Sequence, residues 1–231
     1  MATPALLPRR DPAARAALSD AARRARPVSA AHERVLEVAG PLGELLPHRG
    51  LRRGSVVAVD GPSGAGATSL ALALAAAVTT AGEWVAAVDL HGTLGALAAA
   101  EAGVALDRFA VIRPSGEGAL PPDRWAATVA TLLDGVSLVV AEVPRSVRPA
   151  DARRLVGRAR EREVVLVALA RGAAWPAEAA LRLRAGGGAW PGIGSGAGML
   201  ADRTVRVEVE GRGVGGRSRT ALVHGGLARA V

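Results

Sequence analysis

The stretch VAVDGPSGAGATSLALAL, residues 57–74, decides how the rest of the chain is read. An apolar run ending in Asp60 reads as a buried strand, three glycines follow within six residues, and an Ala- and Leu-rich run then reads as a helix. Strand, glycine loop and helix in this order form a phosphate-binding element, because loop and helix-terminus N–H groups converge on an anion. Against the pattern G-x-x-x-x-G-K-[ST], Gly61, Gly66 and Thr68 fall in register, but Ala67 stands where the lysine belongs.

Working outward, apolar runs and helical segments alternate. Strands are expected at residues 55–60, 84–89, 109–114, 137–142 and 164–170, with helices at 68–80, 93–102, 121–133 and 149–163. Continuous apolar strands interleaved with helices predict an α/β fold: a parallel sheet covered by helices on both faces, with its ligand site at the carboxyl ends of the strands. After residue 170 the character changes. A glycine-rich segment, residues 185–198, reads as a loop rather than a packed element. Residues 204–210 and 219–225 alternate as a C-terminal antiparallel hairpin, with Val205, Val207 and Val209 on one face. Residues 1–35 are expected to form an Arg- and Ala-rich helical arm capped by Asp11 and Pro12, and residues 36–231 the core domain.

Composition narrows the chemistry. The 231 residues include no Lys, Asn, Gln, Tyr or Cys, so all 29 basic residues are Arg and no lysine from elsewhere can reach the loop. Arginine replaces it poorly, since it presents a wide planar fork instead of a compact charge. Lack of cysteine excludes disulfides, thiolate metal sites and thiol catalysis, and fits a reducing cytoplasm. The formal charge of +8 favours polyanionic or acidic partners. No apolar run approaches the ~18 residues of a membrane span. The N-terminal segment is Arg-rich and acid-poor like an import peptide, yet lacks the apolar region of a secretory signal.

The segment LLPHRGLRRGSVVAVDGPSGAGATSLALALAAAVTTAGEWVAAVDLHGTLG followed by AGVALDRFAVIRP resembles the ATP-binding core of the RecA recombinase family. The likeness takes in the GLRRG lead-in, the Gly-Pro opening the loop, the strand ending in Asp89 and the GV-LD phrase before the third strand. It covers roughly residues 36–170. Within that family the chain is most similar to short, truncated proteins of the ImuA type. These are accessory factors of the damage-inducible mutasome, acting beside a Y-family-like polymerase subunit and an error-prone replicative polymerase.

The resemblance implies a nucleotide-binding set of Gly61, Pro62, Ser63, Gly64, Ala65, Gly66, Ala67, Thr68 and Ser69, with Glu142 at the position of the family's metal-side Asp when the fourth strand is aligned without a gap, or Ala141 when it is shifted by one. The family's water-orienting glutamate falls near His91, where no carboxylate stands. With two electrostatic contributors missing, each worth about 2.7–4 kcal/mol, the expectation is a vestigial loop retained for geometry. Nucleotide binding without turnover, with ATP and Mg²⁺ as the ligands, remains an alternative. No nucleophile elbow or metal-spaced histidine pair is present.

For DNA or partner contact, the candidates are Arg145, Arg148, Arg154, Arg158 and Trp190. Arg154 and Arg158 lie one helical turn apart and could follow a phosphate backbone, and Trp190 could stack on a base. The resemblance implies a non-catalytic, cytoplasmic adaptor in error-prone translesion repair, part of the DNA-damage (SOS) response. Its partners would be polymerase subunits and DNA. The alternatives are a weak ATPase with an Arg replacing the lysine and an inhibitor of cell division resembling SulA.

Overall fold

The protein is described by a computed structural model covering residues 34–114, 120–189, 193–194, 197–198, 203–215 and 218–224. The expected N-terminal arm and Trp190 lie outside the described residues.

The fold begins with a short antiparallel pair, β1 (Val35–Glu37) and β2 (Gly50–Arg52), bridged by helix α1 (Gly40–Leu45) and a 3₁₀ turn, Pro47–Arg49. Then come β3 (Val56–Asp60), α2 (Ala67–Thr80), β4 (Val85–Val88), α3 (Ala96–Glu101), β5 (Phe109–Ile112), α4 (Pro122–Leu132), β6 (Leu138–Glu142), α5 (Pro149–Arg162) and β7 (Val165–Ala170). The chain continues through β8 (Leu181–Gly186), the two-residue strands β9 (Ile193–Gly194) and β10 (Ala197–Gly198), β11 (Thr204–Gly211) and β12 (Arg219–His224). Eight strands form one sheet in the order β5-β4-β6-β7-β3-β8-β11-β12. The first six are mutually parallel, while β11 and β12 continue the sheet antiparallel. The protein is therefore an α/β protein with a mostly parallel sheet and a C-terminal antiparallel strand pair.

The alternation of strand side chains builds two cores. Val57 and Val59 of β3 join α2, α1 and the valines of β11 on one face, whereas Val56 and Ala58 join α4 and α5 on the other. Helix α2 is apolar almost all round because it is buried almost all round, as its Leu70, Leu74 and Ala75 illustrate. Helix α4 starts with Pro122 and buries Trp125 and Val129 one turn apart, and α5 buries Ala152, Leu155 and Ala159 while turning its arginines outward.

Four expectations need correction. The sheet is not covered on both faces throughout: at β8 and β11 one face buries Leu183, Ala185, Val205, Val207 and Val209, and the other exposes Arg184 and Arg206. Strand β8, which the sequence reading passed over, runs to Gly186, so the glycine-rich loop begins later than residue 185. Within that loop, β9 and β10 pair antiparallel, with Ala197 opposite Gly194 and Gly198 opposite Ile193. The helix expected at 93–102 is confined to Ala96–Glu101 because the Thr93 and Leu94 N–H groups bind the Asp89 carboxylate instead of starting a helical turn.

No helix of the described residues is long and apolar enough to cross a membrane.

Candidate functional site

The carboxyl ends of the parallel strands bring the glycine loop after β3 beside charged residues that follow β4, β6 and β7. Two points of chain divergence lie there. The segments after β3 and β4 pack on the α2 face, whereas those after β6 and β7 pack on the α4/α5 face. The chain therefore diverges between β3 and β7 and again between β4 and β6, and such points of divergence are where open α/β sheets bind ligands.

The glycine loop lies at the first of these. Gly64 and Gly66 adopt φ of +76° and +110°, a region open to glycine at little cost, and Gly66 caps α2. The Ala65 N–H donates to the Pro62 carbonyl (3.0 Å) and the Leu70 N–H to the Gly66 carbonyl (2.9 Å), closing a tight strand-to-helix turn. The C-terminal strands press on this turn. A Cβ placed on Gly61 would sit 2.4 Å from the Ala185 carbonyl oxygen of β8, and one on Gly66 would sit 3.0 Å from Val205 Cγ2 of β11. Arg203, just before β11, donates through Nη2 to the Gly64 carbonyl. Ala67 is buried at the start of α2, while Thr68 and Ser69 are partly exposed. The β8 backbone thus accounts for Gly61, and the Val205 side chain with a φ of +110° for Gly66, without any phosphate.

The second point of divergence is spanned by an ionic network. Glu142, 3% exposed at the end of β6, accepts the Leu90 N–H at Oε2 (3.0 Å), and its Oε1 lies 2.8 Å from His91 Nδ1. Arg171, directly after β7, approaches Oε1 at 3.6 Å and donates to Thr93 Oγ1 (2.6 Å). Trp125 Nε1–H donates to the Glu142 carbonyl (2.9 Å), fixing the strand end from the opposite face. Asp89 is fully buried beside it, accepting from the Thr93 and Leu94 N–H groups and from Arg113 Nε (3.1 Å). Burial alone would raise its pKa, but the Leu94 and Thr93 N–H groups and the Arg113 charge outweigh that and hold it below the usual carboxylate value. Asp60, ending β3, pairs with Arg184 (3.1 Å) and Arg182 (3.3 Å) of β8.

The expected loop residues 61–69 and Glu142 thus share one rim of the sheet. Arg145 joins them: a Cβ on Gly172 would lie 3.5 Å from its Nη2. Arg148 caps α5. Arg154 sits beside Asp151 (3.4 Å), and Arg158 clamps Asp134 through two nitrogens, with Arg162 at 2.9 Å from the same carboxylate. The hydrogen bond and charge of Arg158, reinforced by Arg162, hold Asp134 below its usual value. A phosphate-tracking role for Arg158 would require breaking this pair. The sequence reading missed Arg113, Arg171, Arg182, Arg184 and Arg203. A signal for two of them was present, since Arg113 and Arg171 directly follow apolar strands, as His91 and Glu142 lie at strand ends.

A magnesium nucleotide does not fit these residues well. The lysine position holds a buried alanine, and both oxygens of the one carboxylate available for the metal are engaged by His91, Arg171 and a backbone N–H. Among the described residues no cluster of three or more His, Asp or Glu side chains could hold a metal ion. What remains is a glycine turn and a ring of arginines around internally neutralised carboxylates.

These features define an α/β protein with a glycine-loop turn at the divergence point of a parallel sheet. Residues 44–177 match the family described as the MT3502 N-terminal domain, and because this is more than half of the chain, the chain belongs to that family. The match runs from the end of α1 to just beyond β7, leaving β8 to β12 outside it. No curated protein matches the chain.

Proposed function

We propose that the chain is a non-catalytic, cytoplasmic RecA-like accessory protein of error-prone translesion repair, which binds polymerase subunits and, through its basic surface, DNA. One observation carries the non-catalytic part. The glycine loop is held by β8 and β11, while its charged positions are an alanine and a carboxylate already engaged by His91, Leu90 N–H and Arg171. The RecA-like part is supported by the order of parts: a glycine loop after the central strand, Asp89 after the next, and an acidic residue closing the fourth core strand beside it.

A second reading has one observation in its favour. Arg203 reaches over the loop to the Gly64 carbonyl and is the guanidinium placed to act in the lysine's stead, which would make the protein a weak ATPase.

The test has two arms. Calorimetric titration with Mg-ATP is expected to give no heat for the native chain, and binding for Ala67→Lys; micromolar binding with turnover by the native chain would establish the ATPase reading instead. Affinity purification of the tagged chain after DNA damage is expected to recover polymerase subunits. Recovery of the division protein FtsZ in their place would replace the repair assignment with that of a division inhibitor.

A further inference from the structure

The two edges of the sheet are treated differently. At one end, β12 begins with Arg219, and α1 lies over the buried face that it shares with β11. At the other end, β5 (Phe109–Ile112) is an uncharged run of four apolar residues with no proline. An edge of this kind presents unpaired backbone groups and is normally blunted by charge, proline or a bulge.

Its surroundings are also apolar. Of the five large hydrophobic side chains exposed among the described residues, four lie around this edge: Leu97 (73%), Trp84 (48%), Leu106 (46%) and Val111 (38%). Beside the strand runs a groove of about 330 Å³, lined by Leu94, Ala96, Leu106, Phe109, Val111 and Arg113. Clustering of this kind, rather than scattered exposure, marks an interaction surface.

We propose that the β5 edge docks an extended, apolar segment of a partner protein whose ends are acidic, and that this segment adds to the sheet as a further strand. Backbone pairing supplies affinity, and alternate apolar side chains enter the groove. The charge pattern selects the occupant. Arg108 and Arg113 bracket the strand, each side chain about half exposed; Arg108 lies over the Trp84 ring at 5.7 Å, and Arg113 is the one charge lining the groove. Asp107 near Arg108 and buried Asp89 near Arg113 offset part of this charge, and the whole chain adds +8.

A second copy fits poorly. Each copy carries a net charge of +8, and surfaces of like charge oppose association. The chain's own terminal segments fit no better: residues 1–33 carry six Arg against three acidic residues, and residues 225–231 carry no acid. The inference does not depend on the repair assignment, because it needs only the edge, the groove and the two arginines.

The test pans the full chain against a random ten-residue peptide display library and follows the enriched synthetic peptide by hydrogen exchange. Enriched sequences are expected to alternate apolar residues between Asp or Glu ends and to protect the amides of residues 109–113. Val111→Glu, at an exposed site, should weaken binding about tenfold or more with the circular dichroism spectrum unchanged. Arg108→Glu should do the same and be rescued by a peptide that carries lysine at the end facing residue 108 and keeps its acid opposite Arg113. Absence of enrichment, protection elsewhere, or indifference to the flanking charges overturns the proposal. So does concentration-dependent protection of β5 in the chain alone that Val111→Glu removes, which would identify a second copy as the occupant.

Discussion

Replacing Gly61 by alanine tests the claim that packing, not phosphate, accounts for the glycine loop. The new Cβ would lie 2.4 Å from the Ala185 carbonyl oxygen, 3.0 Å from Ala185 Cβ and 3.2 Å from the carbonyl carbon. Carbon and oxygen ordinarily meet no closer than about 3.3 Å, so β3 and β8 must part by about 0.9 Å at this point. Retreat is blocked on the other side, where Asp60 is in register with Ala170 of β7 as well as with Arg184 of β8. The strain therefore falls on the last β3–β8 hydrogen bonds, at about 1 kcal/mol each, and on the packing of Ala185, which is fully buried. A loss of about 2–4 kcal/mol is expected, or about 5–15 °C in Tm for a chain of this size. Gly64→Ala is the control: it has open space around it and only its φ of +76° to oppose a side chain, so it should cost about 1 kcal/mol. Thermal and urea unfolding followed by circular dichroism would measure both. Equal losses for the two variants, or a smaller loss for Gly61→Ala, would refute the argument that β8 dictates the loop.

Other substitutions probe the ionic rim and the helix that supports it. Glu142→Ala strands the Leu90 N–H and leaves Arg171 without its buried partner, and should cost about 2–4 kcal/mol, whereas His91→Ala, on a largely exposed ring, should cost under about 1 kcal/mol; urea midpoints separate the two. Thr79→Val removes the buried hydroxyl that accepts the Ala105 N–H (3.1 Å), and should cost about 1–2 kcal/mol, with faster hydrogen exchange at that amide. Asp89 titrates below its unfolded value of about 3.9, so its contribution is complete above that pH and is lost as the pH falls through the lower folded value. Asp89→Asn should therefore be less stable than the native chain at pH 7 and approach it in acid, a convergence read from urea midpoints between pH 2 and 7.

The parallel part of the fold was legible because each buried strand is a short apolar run, α2 is a long apolar run behind the glycine loop, and α4 and α5 each start at a proline and bury one stripe, as with Trp125 and Val129 behind Pro122. Strand β8 was not legible for a physical reason. LRLRAG alternates apolar and charged residues because only one of its faces is buried, and unlike the alternating runs at 204–210 and 219–225 it has no partner run across a short turn to mark it as a hairpin strand. The loop and Glu142 were legible as residues, but their state was not: the partners that engage them, Arg171, Arg203 and the Ala185 carbonyl, come from other strands distant in sequence. Nothing in a local pattern records that the glycine turn and Glu142 are engaged from elsewhere in the chain.

Those contacts explain how the loop keeps its form with alanine at position 67. In a loop held open for a phosphate, the glycines and the charged positions answer to one ligand, and loss of the charge removes the reason for the glycines. Here they answer to different neighbours. Gly61 answers to β8, Gly66 to β11, and Glu142 to the residues that follow β4 and β7. Each constraint holds with alanine at position 67, because that side chain is buried at the start of α2 and engages in none of them. The antiparallel strands β8 with β11 and the residue Arg203 thus do for this turn what a bound anion does elsewhere, which is to hold a tight backbone against its own tendency to open. The same strands lie outside the part of the chain that matches the family, so the hold on the loop comes largely from a segment that the family match does not cover.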